Sequence, residues 1–489
     1  MSNVDVDDAK QRKSTSSAHA TVGGVDDTAS TTPSRTENEK KKSQQHQAAH
    51  SSAPPSSPPP FQARFWSNDP VTSVKRKLYF RVVGSGTFLM IICIFTLLAI
   101  FWGSLYNVND YIHKLEGWVI DFDGGPIGQT VIQAFQNNTG LPFQMTWRVV
   151  DGSQFPNYLS DVEEAVVKEK TWVAISINRG ASSNLSTAIV SVDSSYDGSL
   201  AVTAHADEAR NEQGYASFIQ PAITQILLEA SQAFALQNSQ QVAANSSVNY
   251  QVLLSRAPTV LTQPLYFTIN NLRPFDVPVA LAVDFVGLIY LLIIAFVVCM
   301  MNYQARVTVS GLNRHLRLKS LIAIRLCVPL VLYFFVSAFF SMLSLAFQAP
   351  FSRVFGHSGF VIYWMMNWMG MCALGLAMES MITILTPSFT PFFLMLWIIS
   401  NVSVASVPIE VLPGVFRYGY AAPFYNVSKA VRTILFNTKN EIGLNFGVQF
   451  AWIAVSLVTM TLLTILMRRK EERAWRAQQD VAVRDKEKV

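Results

Sequence analysis

The stretch VVGSGTFLMIICIFTLLAIFW, from Val82 to Trp102, runs for 21 residues without a charged side chain. Crossing a hydrocarbon core of roughly 30 Å takes about 20 such residues in a helix, because only a helix satisfies its own backbone hydrogen bonds there. Read with the same rule, the chain offers five further spans: about Val279–Met301, Leu326–Phe347, two within Ser358–Ile409, and about Phe446–Met467. The run from Ser358 to Ile409 is too long for one crossing, and Thr386-Pro-Ser-Phe-Thr-Pro391 divides it into the fourth and fifth spans. The composition fits a bilayer protein, with 50% apolar and only 15% charged residues among 489.

Basic flanks set the expected orientation, since Lys and Arg near span ends stay on the cytosolic side. Lys75, Arg76, Lys77 and Arg81 precede the first span; Arg306, Arg314, Arg317 and Lys319 follow the second; Arg468, Arg469 and Lys470 follow the sixth. Both termini are therefore expected in the cytosol. Residues 103–278 carry 16 acidic against 8 basic side chains, which assigns them to the opposite face. Sequons at Asn137, Asn184 and Asn245 lie in that segment and a fourth, at Asn426, in the other outer loop, making these four asparagines the candidate glycosylation sites. The match at Asn401 falls inside a span and is read as accidental. With the first apolar run starting at residue 82, that helix is expected to direct insertion itself and to be retained.

The expected architecture is a multi-pass α-helical membrane protein with six transmembrane helices (1 + 5) and an α+β extracytosolic domain between the first and second. Its divisions are a disordered cytosolic tail over 1–77, the first helix over 78–105, the outer domain over 106–278, a five-helix membrane domain over 279–467 and a basic cytosolic tail over 468–489. The tail ends in a Ser/Pro run to Pro60 and has no apolar periodicity. In the outer domain, the pattern predicts helices from Pro126 to Gln136 and from Leu159 to Lys168. Strands are predicted over Phe143–Val150, Thr171–Ile177 and Leu200–Thr203, and a long helix from Asp207 to about Gln237, interrupted at Pro221.

Few chemistries survive this reading. No GxxxxGK[ST] phosphate loop and no HExxH pair occurs, and the four cysteines (Cys93, Cys299, Cys327, Cys372) all sit in apolar stretches, so no cofactor or metal is expected and the chain is read as a non-enzyme; nucleic acid is not expected either, because the net charge of +5 comes from basic residues clustered beside the apolar runs. Gly356-His-Ser-Gly359 resembles a serine protease turn only superficially, as no second histidine lies in another span to act as base. What remains is a candidate intramembrane polar path. Glu379 lies too deep for a short side chain to reach the interface and calls for a buried partner or a wet cavity. Arg325 is the cation within reach if the third and fourth spans adjoin, with interhelix adhesion and transport as the two readings of the pair. Asp284 is the third polar residue, read as exposed near the outer interface. The basic loop 302–325 anchors topology and is a candidate docking surface for a cytosolic partner. The segment Pro408–Pro423 is apolar but too punctuated to span, and is expected to dip into the outer leaflet.

Several stretches resemble a family of fungal membrane proteins associated with nitrosoguanidine resistance, related to the membrane subunits of ABC-2 type exporters. They are Trp172-Val-Ala-Ile-Ser-Ile-Asn-Arg-Gly-Ala181, Tyr196-Asp-Gly-Ser199, Asn271-Leu-Arg-Pro-Phe-Asp276 leading into Phe285-Val-Gly-Leu-Ile-Tyr290, and Pro408 through Pro423 to Arg432-Thr-Ile-Leu-Phe436. The resemblance covers roughly residues 80 to 470. It implies a transporter-like protein of the plasma membrane, with an endomembrane as the alternative, that raises tolerance to toxic compounds by exporting small molecules or by affecting lipid distribution. It further implies a homodimer. The competing reading is a non-transporting scaffold or regulator with a ligand-binding ectodomain, for a chain that carries no nucleotide-binding domain to drive export.

Overall fold

The computed structural model describes residues 61–487, so the Ser/Pro-rich tail expected over 1 to about 60 lies outside the described residues. The chain divides into two units, with the boundary along the sequence between Phe80 and Arg81. In the first, Asp69 caps the opening helix: its Oδ2 accepts from the Thr72 backbone N–H at 2.9 Å, and Pro70 takes the first helical position, where a missing N–H costs nothing. The tail expected to run to residue 77 thus ends earlier, because this cap starts helix α1 (Pro70–Leu105) at Pro70. Arg76 sits 5.4 Å above the Trp66 ring and donates to the Phe65 carbonyl.

In the second unit, residues 116–271 form a five-stranded sheet in the order β2-β1-β3-β4-β5. The strands are β1 (Glu116–Asp121), β2 (Thr146–Asp151), β3 (Val173–Ile177), β4 (Val202–Ala206) and β5 (Phe267–Asn271), every neighbouring pair parallel except β3–β4. Parallel neighbours need crossover connections: α2 (Pro126–Asn137) lies between β1 and β2, α3 (Leu159–Val167) on the return from β2 to β3 beside β1, and the helix Gln220–Ala244 between β4 and β5, while α4 (Ala181–Ser191) joins the antiparallel pair β3 and β4, so strands and helices alternate more than the expected α+β pattern implies. Strand β3 is buried along its whole length, as a central strand covered on both faces should be. The long helix expected from Asp207 begins only at α5 (Gln220–Ala244). Pro221 falls in its first turn, and a short helical turn and a π-helical turn precede it. Strands β1 and β5 and helix α4 were not expected from the sequence.

Among the described residues, four helices besides α1 are long and apolar enough to cross a membrane: α6 (Ala280–Val309), α7 (Leu318–Ala346), α8 (Ser358–Val402) and, after the buried helix α9 (Pro423–Phe436), α10 (Ile442–Glu487). Helix α8 is a single element of 45 residues broken at Thr386, whose φ of 65° and ψ of 162° are not helical. The break falls where the sequence divides the fourth from the fifth span, because the residue before a proline is pushed out of the helical region and Pro387 has no N–H to give. The segment expected to dip into the outer leaflet forms two 3-10 turns, Ile409–Val411 and Gly414–Ala421, and leads into α9, which is buried along most of its length. The basic C-terminal stretch is not a separate tail but continues α10 as helix to Glu487.

Candidate polar site in the helix bundle

Helices α7 and α8 pack closely at Gly375, where any Cβ would collide with the Tyr333 ring. Tyr333 in turn donates from its hydroxyl to the Ala295 carbonyl of α6 at 3.2 Å, drawing three helices together. One turn beyond Gly375, Glu379 is fully buried. Its Oε1 accepts from Arg325 Nε at 3.0 Å and from Arg306 Nη1 at 2.9 Å, while Cys299 Sγ donates to Oε2 at 3.4 Å. The remaining donors of Arg325 are also used: Nη2 reaches the Glu379 backbone carbonyl at 2.7 Å and Thr383 Oγ1 at 2.6 Å, and Nη1 reaches Thr464 Oγ1 of α10 at 2.8 Å. A carboxylate moved out of water is tolerable only with such pairing. The expected adjacency of Arg325 and Glu379 is therefore present, and four helices meet at it.

Arg306 is the member the sequence reading missed. The loop expected after α6 does not begin at Asn302; a π-helical turn, Ala305–Val309, carries the helix further and turns Arg306 inward. Cys299, Asn302 and Arg306 are spaced three and four apart, and this periodicity on one face was the available signal. With Arg306 and Arg325 sharing one carboxylate, the buried cluster has an excess of formal positive charge, and Arg306 Nε has no hydrogen-bond partner among the described residues. Beside it lies a cavity of about 250 Å³ whose polar wall includes Tyr303, Arg306, Arg325, Thr383 and Arg468, with Leu321 and Ile382 on its apolar wall. Arg468 closes one side by donating to the carbonyls of Asn313 and Leu316, at 2.8 and 3.2 Å, in the basic loop.

Asp284 does not join this site. Contrary to the expected interfacial exposure, it is fully buried, because Arg432 of α9 sits against it with Nε 2.9 Å from Asp284 Oδ2. Arg432 Nη2 also lies 2.5 Å from Glu212 Oε2, and Nη1 donates to the Ala209 carbonyl at 3.2 Å. One turn earlier on α9, Lys429 Nζ is 2.8 Å from both carboxylate oxygens of Glu169. Arg432 and Lys429 thus join the strand-bearing part of the unit to its helix bundle, next to a small cavity of about 40 Å³ that Trp172 and Arg210 also line. Arg210 stacks on Trp172 with its guanidinium carbon 3.3 Å from the ring centroid.

Two buried groups outside the spans have displaced titrations. Burial raises Asp207, beyond the end of β4, to about 6 against hydrogen bonding from the Arg210 N–H. Burial also lowers His205 to about 4, although Glu163 lies 3.5 Å from its Nδ1. Of the candidate glycosylation sites, Asn137, Asn184 and Asn245 are exposed. Asn426 is not: it is buried in α9, and its side-chain nitrogen donates to the Tyr420 and Ala422 carbonyls at 2.9 Å each, leaving no room for a glycan.

A family model described as protein of unknown function (DUF3533) matches residues 86–458. The chain is also 25% identical, over 81% of its length and 82% of the relative's, to the "Uncharacterized endoplasmic reticulum membrane protein YJR015W" of Saccharomyces cerevisiae. No solved structure matches it.

Proposed function

Because the chain belongs to the DUF3533 family and is a multi-pass helical membrane protein, we propose that it is a transporter-like protein that moves amphipathic small molecules or redistributes lipids between leaflets. The observation that carries this reading is the charged cluster of Arg306, Glu379 and Arg325 beside a cavity among the spans, since a bundle with only an adhesive role is served by apolar packing without desolvating three charges. In this reading α8, at about 68 Å for 45 helical residues, crosses the bilayer twice around the Thr386 break, giving six spans with both termini in the cytosol and residues 106–278 on the far side. The yeast relative's printed location favours the endoplasmic reticulum over the plasma membrane. The resemblance to nitrosoguanidine-resistance proteins and ABC-2 subunits supports a role in toxicant tolerance and a homodimeric assembly. Energy for directed movement then comes from a cytosolic partner, for which the basic loop 302–325 is the surface of matching charge.

The test compares uptake and efflux of a labelled toxicant and of a fluorescent phospholipid in deletion cells, wild type and cells carrying Glu379→Gln. A flux that falls in the deletion strain and is not restored by the variant supports transport. Unchanged fluxes in the deletion strain overturn it and leave the scaffold reading, in which the contacts of Lys429 and Arg432 merely hold an ectodomain in place.

A further inference from the structure

We infer that the cavity beside Arg306 binds the phosphate head of an anionic lipid. Three features point there together. First, among the described residues the carboxylate of Glu379 is the one anion that both Arg306 and Arg325 contact, so two buried guanidinium groups share a single counter-charge. Second, Arg306 is 4% exposed and its Nε is unpartnered, while every nitrogen of Arg325 is engaged; a buried donor of this kind is costly unless something accepts from it. Third, the space next to it is lined by further side chains able to donate to phosphate oxygens, Tyr303 and Asn313, and by Arg468.

The acid lining the cavity, Glu471, makes no ion pair among the described residues and stands on α10 beyond Arg468. Arg468 has its own carboxylate in Glu472, with Nε 3.2 Å from Oε1, and neither of these two acids pairs with Arg306. The apolar wall, Val307, Leu321, Ile382 and Met467, distinguishes a lipid from a free ion, because acyl chains leaving the headgroup would lie along it. The cavity also lies at the basic end of the bundle, with Arg314, Arg317 and Lys319 close by in sequence, the end at which anionic headgroups concentrate. The inference rests on the transporter reading only for the idea that this lipid is cargo; binding itself does not depend on movement.

The full chain, purified in an uncharged detergent, is titrated with dioctanoyl phosphatidic acid, dioctanoyl phosphatidylcholine and inorganic phosphate. Phosphatidic acid is expected to bind at least about tenfold more tightly than either of the others, and Arg306→Gln to weaken it by about tenfold while Arg306→Lys retains most of the binding. Glu379 keeps Arg325 in both variants; should Arg306→Gln nevertheless fail to fold, Val307→Trp fills the cavity without altering charge and is expected to abolish binding. Inorganic phosphate binding as tightly as the lipid overturns the lipid assignment, and equal binding of all three, or binding insensitive to these variants, overturns the site. Absence of phosphatidic acid binding by the wild-type protein, with the flux that depends on the protein intact, would remove this inference and leave the transport reading, whereas wild-type binding without flux would do the reverse.

Discussion

Arg325 holds Glu379 twice, through the carboxylate at 3.0 Å and through the backbone carbonyl of the same residue at 2.7 Å. The side-chain bond fixes a charge, and the backbone bond fixes the helix that carries it. The two halves of the pair should therefore fail differently. Glu379→Gln leaves two buried guanidinium groups facing each other and is expected to cost about 3–5 kcal/mol. Arg325→Gln still leaves Glu379 paired with Arg306, and should cost less. Thermal unfolding of the two variants in detergent checks the order; a more stable Glu379→Gln protein contradicts it.

Arg432 is the converse arrangement, one cation between the carboxylates of Asp284 and Glu212. Arg432→Met strands two acids on opposite sides of the junction between sheet and bundle, so it is expected to unfold more readily than Asp284→Asn, which leaves Arg432 its second partner. Because the junction also depends on Lys429 and Glu169, limited proteolysis should show new cleavage around 205–215 in Arg432→Met but not in Asp284→Asn.

The contrast between these clusters shows what the sequence made legible. Hydropathy located the spans, and the cost of a lone carboxylate in lipid was enough to pair Glu379 with Arg325. It was not enough for Asp284, because its partner stands on α9, a helix introduced by Pro- and Gly-rich turns whose apolar length is too short to register as part of the bundle. Arg306 was hidden by position: a cation just past a span reads as a topological anchor, and only the π-helical turn reveals that it points inward. Strand β1 escaped notice because Glu116-Gly-Trp-Val-Ile-Asp121 is short and bounded by charges, although it pairs with both β2 and β3.

Asp207 and His205 make opposite contributions to the pH dependence of stability. Asp207 goes from an ordinary 3.8 up to about 6 in the fold, so the folded protein holds a proton that the unfolded chain has lost, and stability from this group disappears as pH rises from about 4 through 6. His205 goes from 6.5 down to about 4, so its contribution is present above pH 6.5 and is lost as pH falls towards 4. The two slopes nearly cancel in the wild type. Asp207→Asn uncovers the histidine alone, and its melting temperature relative to wild type should climb between pH 4 and 6; a pH-independent difference would show that Asp207 is not protonated in the fold.

The four sequons separate accessibility from sequence. Transfer of a glycan needs the side-chain nitrogen of asparagine free and the segment on the lumenal side. Asn137, Asn184 and Asn245 meet the first condition by exposure, and the proposed topology, drawn from the acidic balance of residues 103–278, gives them the second. Asn426 carries the same motif but spends both hydrogens of its amide on the Tyr420 and Ala422 carbonyls, inside a helix that is otherwise packed. Endoglycosidase treatment of the protein from eukaryotic cells should accordingly produce a mobility shift that shrinks stepwise in Asn137→Gln, Asn184→Gln and Asn245→Gln and is unaltered in Asn426→Gln. A shift lost only with Asn426→Gln would require α9 to be unpacked when the chain is inserted, whereas no shift with any sequon intact would place the sheet on the cytosolic side and overturn the proposed six-span topology.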